Sequence, residues 1–94
     1  MDKNAKVETS DDVVSRSVGG EAVLLNLSSG TYFGLNEVGS AIWELLDKQS
    51  LNLAGICDQI EEEFDVTRDQ LESDVAALVE KLLENDLLIT SSDA

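Results

Sequence analysis

The chain has 94 residues, 43% of them apolar and 4% aromatic, which suits one small domain whose core is filled by Leu, Val, Ile and Ala. Twenty acidic residues against six basic ones give a formal charge of −14, a surface that repels nucleic-acid phosphates and anionic membranes and favours a basic or neutral partner. No histidine and a single cysteine exclude Ser-His and Cys-His nucleophile pairs, histidine zinc sites, all-cysteine metal ligation within a monomer and an internal disulfide.

Residues 1–12 are polar and charged without sustained periodicity and read as a flexible N-terminal arm. They show no apolar run of a signal peptide, and no stretch approaches the ~20 apolar residues of a membrane span, so the expected location is the cytoplasm. Residues 13–89 form the domain. Val13 to Val18 is a short valine-rich strand, closed by the hairpin pair Gly19-Gly20. Glu21 to Leu27 is the clearest strand, with Val23, Leu25 and Leu27 on one face and Leu24 alternating with the polar Asn26 on the other. After the turn Ser28-Ser29-Gly30, Thr31 to Leu35 returns as a third strand, giving an antiparallel meander with this strand at an edge. Tyr32 and Phe33 point to its opposite faces; on spacing alone both read first as ordinary core or half-exposed aromatics, and second as one joining the core while the other lines a groove.

Asn36 is the expected N-cap of a first helix, about Glu37 to Lys48, whose apolar residues Val38, Ala41, Ile42, Leu45 and Leu46 recur at core-facing spacing. A second helix starts after Asn52 and carries Leu53, Ile56, Cys57, Ile60 and Phe64 on one side; Gly55 weakens its first turn. A third opens with Thr67 and Gln70 as a capping box, framed by Val66 and Leu71 as a hydrophobic staple. Its stripe Leu71, Val75, Leu78 and Leu82 runs to about Asn85; Leu87-Leu88-Ile89 packs back, and residues 90–94 are a tail.

The glycines form neither a dinucleotide fingerprint nor a phosphate loop, and no EF-hand spacing occurs. No cofactor, metal site or catalytic residue is expected. What remains is a binding module whose asset is a sheet edge, where unpaired N–H and C=O groups can take an extended peptide.

The run YFGLNEVGSAIWELL, followed by Phe64-Asp65-Val66, Asp74-Val75 and the leucine-rich ending through Leu88, resembles the PqqD-like peptide-recognition domains. It is most similar to the free-standing members of lasso-peptide biosynthesis, the recognition half of a split B protein. The most specific part is a tyrosine-bearing strand followed by Leu35, Asn36, Gly39, Ile42 and Trp43. The resemblance implies an α+β fold, a winged helix-turn-helix with a three-stranded antiparallel sheet followed by three helices. It implies a function without chemistry: binding the leader segment of a ribosomally made precursor and delivering it to processing enzymes, a cysteine-protease-type leader peptidase and a cyclase. The leader would add antiparallel to Thr31, Tyr32, Phe33, Gly34 and Leu35, in a groove walled by Leu71, Asp74, Val75, Leu78 and Leu82. The Asp47-Lys48-Gln49-Ser50-Leu51 loop lacks the glycine common in the family.

Two other classes compete. An acidic carrier protein needs a serine in an Asp-Ser-Leu context, but Ser40 follows Gly39 and Ser73 follows Glu72. A winged-helix regulator needs a basic third helix, whereas here Arg68 and Lys81 face Asp69, Glu72, Asp74, Glu80 and Glu84.

Overall fold

The computed structural model describes residues 5–90. Its elements in chain order are β1 (Val7–Thr9), β2 (Val13–Val18), β3 (Glu21–Asn26), β4 (Tyr32–Leu35), α1 (Glu37–Lys48), α2 (Leu53–Glu63), α3 (Arg68–Glu84) and β5 (Leu88–Thr90). Strands β2, β3 and β4 form the expected antiparallel meander in that spatial order. The hairpin at Gly19-Gly20 has positive φ at both residues, +61° and +85°, the conformation that lets a two-residue turn follow the strand twist.

The register sorts the sheet into two faces. Leu24 lies opposite Phe33, and Ala22 opposite Leu35. Ala22, Leu24, Asn26 and Leu35 are buried, with Phe33 packed against them. The inner face of β3 is therefore the one bearing the polar Asn26, while Leu27 on the other parity is exposed. Asn26 is tolerated inside because both ends of its amide are hydrogen-bonded. Its Oδ1 accepts from the backbone N–H of Ser28 (2.9 Å) and Ser29 (3.3 Å), and its Nδ2 donates to the Asn85 carbonyl (3.1 Å).

The helices supply the rest of one continuous core, chiefly Ile42, Trp43 and Leu46 from α1, Leu53, Ile56, Cys57 and Ile60 from α2, and Leu71, Val75, Val79 and Leu82 from α3. Asn36 and Asn52 cap α1 and α2 as expected, each accepting a 2.8 Å bond from the N–H three residues on, at Gly39 and Gly55. Those glycines fit their caps: a Cβ at Gly39 would sit 3.2 Å from the Asn36 Oδ1, and one at Gly55 3.2 Å from the Leu51 Cδ2.

The start of α3 differs from the expected capping box. Thr67 occupies the N-cap but its side chain makes no capping bond. Gln70 is drawn the other way, its Nε2 donating to the Asp74 Oδ1 on the next turn (2.9 Å). Besides the shared core, Arg68 links α3 to α2: its guanidinium reaches Asp58 (2.8 Å) and Glu61 (3.5 Å) on α2, and Glu72 (2.9 Å) on its own helix. These carboxylates raise the Arg68 pKa further above its ordinary value.

The flexible arm expected over residues 1–12 does not extend through Val7–Thr9, which are a paired strand. Residues 1–4 lie outside the described residues, but Val7–Thr9 form β1, antiparallel to β5 in the register Val7 to Thr90 and Thr9 to Leu88. Val7 is 1% exposed and also exchanges backbone bonds with Leu51. A three-residue strand carries too little period to be seen in sequence, and its partner is about 80 positions away. Of the tail expected over residues 90–94, Thr90 instead closes β5, and 91–94 lie outside the described residues.

Candidate functional site

Strand β4 has a partner on one side only. Asn26 donates its N–H to the Thr31 carbonyl (2.9 Å) while its own carbonyl takes the Gly30 N–H of the turn (2.7 Å), so the backbone of Asn26 bonds toward β4. Antiparallel ladders alternate, which makes Phe33 and Leu35 the inward-bonding residues of β4 and turns the N–H and C=O of Tyr32 and Gly34 to the open edge. At the far end the ladder is completed by a side chain. The Ser40 Oγ accepts from the Ala22 N–H (2.7 Å) and donates to the Asn36 carbonyl (2.7 Å), locking α1 onto the sheet.

Beside that edge runs a groove of about 600 Å³ between β4 and α3. Its floor is apolar: Phe33, Leu35 and Ile42 from β4 and α1 meet Leu71, Val75 and Leu78 from α3. Val38 and Val66 extend it, and Val66 is 40% exposed. Among the described residues that line it, Asp74 is the one carboxylate and Lys81 the one cation. Lys81 holds its ammonium 5.3 Å from the centre of the Phe33 ring, a cation–π contact. A strand edge with four free backbone groups, next to an apolar trough of this size, is equipped to take an extended chain.

The structure brings most of the expected site residues together. Phe33, Gly34, Leu35, Leu71, Asp74, Val75 and Leu78 all line the groove. Three do not. Thr31 precedes β4, and its carbonyl is taken by Asn26. Leu82 is fully buried in the core beneath the wall. Tyr32 contributes backbone to the edge, but its ring is 70% exposed on the outer face of the sheet, in a shallow hollow of about 500 Å³ with Val14, Arg16, Val18, Val23 and Leu25. Of the aromatic pair, it is thus the core-side Phe33 that also lines the groove. Asn36, Val38, Gly39, Ile42, Val66 and Lys81 are lining residues that sequence reasoning did not select. Lys81 lies one helical repeat beyond Asp74 on the same side of α3, a spacing readable in the sequence.

No group of three or more metal-ligating side chains occurs among the described residues. Ser40, a serine considered for a carrier arm, is buried within its hydrogen bonds. Cys57 is fully buried, and burial pushes its thiol pKa up. No helix among the described residues is long and apolar enough to cross a membrane.

The sheet, the three following helices and the groove define a winged-helix recognition module, and residues 21–88 match the family described as coenzyme PQQ synthesis protein D (PqqD). The chain belongs to the PqqD family. No curated protein matches it. Two solved structures are similar over nearly their full length. TbiB1 in complex with the TbiA(β) leader peptide is 41% identical, with a TM-score of 0.81 over 92% of this chain and 99% of that one. Lasso peptide synthetase B1 complexed with the leader peptide is 28% identical, with a TM-score of 0.75 over 88% of this chain and 96% of that one.

Proposed function

We propose that this domain binds the leader segment of a ribosomally synthesised precursor as an additional strand antiparallel to β4, and presents it to the enzymes of lasso-peptide or related biosynthesis. The observation that carries the reading is the open edge at Tyr32 and Gly34 lying directly beside the β4–α3 groove. Family membership and the two leader complexes support it. Within this reading the domain works in the cytoplasm, where precursors are translated, and contributes binding rather than catalysis. The enzymes it serves are a cysteine-protease-type leader peptidase and a cyclase.

The geometry makes the two sides of the bound strand unequal. Leader residues opposite Phe33 and Leu35 point into the groove, while their own N–H groups face away from β4. Leader residues opposite Tyr32 and Gly34 bond the edge through their backbone, and their side chains lie on the outer face. Specificity therefore resides in groove-facing side chains two residues apart. Each fully buried apolar anchor contributes about 1.5–3 kcal/mol, so truncating one weakens binding about 10- to 150-fold.

Titrating the TbiA(β) leader peptide against the isotope-labelled protein tests the reading. The amide shifts should concentrate at Tyr32, Gly34 and the groove face of α3. Gly34→Pro removes an edge-facing N–H without touching the β3–β4 ladder, and should abolish binding while the melting curve is kept. Proline placed along the leader should be tolerated at groove-facing positions and destructive at the alternate ones. Indifference to both kinds of proline would refute strand addition.

A further inference from the structure

The groove is electrostatically directional. Lys81 sits against Phe33, and the lining segment of the sheet side runs onward from Phe33 to Gly39 without including Thr31 or Tyr32. The N-terminal half of α3, with Leu71 and Asp74, must therefore lie toward Leu35 and Val38. Helix α3 runs antiparallel to β4. Asp74 and Lys81 are seven residues apart, about 10 Å along the helix axis, which is the length of about three strand residues. Both side chains are exposed and at the groove.

We propose that Asp74 and Lys81 read the order of charges in the bound leader, so that the chain selects a strand with a basic side chain at its N-terminal groove-facing position and an acidic one at its C-terminal groove-facing end. This rests on the strand-addition reading. A guest antiparallel to β4 runs parallel to α3, so its N-terminal half passes Asp74 and its C-terminal half passes Lys81. The opposite order puts a carboxylate beside Asp74 and a cation beside Lys81. The surrounding field sharpens the choice. In a molecule of charge −14, a leader carboxylate is repelled over most of the surface, and within the groove Lys81 marks the place where it is accepted.

The test uses two short capped peptides of identical composition, with a leucine at the central groove-facing position. One carries Lys at the groove-facing position two residues before it and Glu at the one two residues after it; the other has these two exchanged. Binding to the full chain is followed by fluorescence anisotropy and by backbone amide shifts. The Lys-first peptide should bind about fivefold tighter at low ionic strength, as expected for partly exposed ion pairs. The preference should shrink in Lys81→Met and reverse in the double variant Asp74→Lys, Lys81→Glu, which changes two exposed positions outside the buried core. Equal binding of the two peptides, or a preference that survives the charge reversal, would overturn the charge-order inference and leave strand addition standing. If neither peptide moves the Tyr32 and Gly34 amides, the strand-addition reading falls and this inference with it.

Discussion

At the scale of single residues, polar side chains decide how the sheet is closed. Ser40 and Asn26 are buried, and each satisfies backbone groups that the ladders leave open. Asn26→Leu would make β3 more apolar yet should destabilise the domain. It strands the Ser28 N–H and the Asn85 carbonyl, each loss costing about 1–3 kcal/mol where the group stays buried; urea denaturation measures the change. Cys57 supplies a second prediction. Its thiol pKa is raised mainly by burial, against the opposing effect of Arg68. A neutral thiol favoured in the folded state contributes stability that is fully present below the unfolded thiol's range and is lost as pH rises through the folded value. Stability should therefore fall in the alkaline range, with a shallower fall in Cys57→Ala. Labelling of the native thiol should be slow and accelerate in denaturant.

At the scale of elements, the N-terminus is a working part of the fold. Strand β1 ties β5 to the body, and Val7 fills a place between α1 and the Leu51 bridge. Val7→Ala should cost about 2 kcal/mol from the lost burial, measured by thermal or urea unfolding. The change should leave the β4 edge amides unshifted in spectra of the folded protein. Helix α3 serves two masters: Val75, Val79 and Leu82 face the core, while Leu78, Asp74 and Lys81 reach the groove. Substitutions at the exposed Asp74 and Lys81 should therefore alter binding with little effect on stability, whereas Leu78 is half-buried against the core. Lys81→Met, for example, should leave the melting temperature within the small range typical of exposed sites.

At the scale of the whole molecule, the charge of −14 sets the response to salt. Self-repulsion destabilises the compact state and is screened within a Debye length of about 10 Å at 0.1 M salt. The melting temperature should thus rise with ionic strength, while affinity for a net-basic leader falls. Opposite signs for the two, measured on one sample series, separate the global field from local contacts. The same acidity, with Arg68 occupied by Asp58, Glu61 and Glu72, gives α3 a surface that disfavours nucleic-acid phosphates.

Much was legible before any coordinates. Period-2 and helical patterns located the three meander strands and all three helices, and the asparagine caps located two helix starts. These are local properties, written in neighbouring residues. What local pattern could not decide was which face of β3 turns inward, because Leu24 and Asn26 compete with Val23, Leu25 and Leu27 on hydrophobicity alone. Helix packing settled that, since the inner face needed Asn26 to hold the turn and Asn85. The same holds for β1 with β5, and for the use of Phe33 rather than the Tyr32 ring in the groove. Sequence by itself determined an acidic α+β module with a strand edge and a third helix carrying an apolar stripe. Only tertiary structure decided that the edge and the helix enclose a trough with Asp74 and Lys81 along it, because that depends on how α3 crosses β4 nearly fifty residues away.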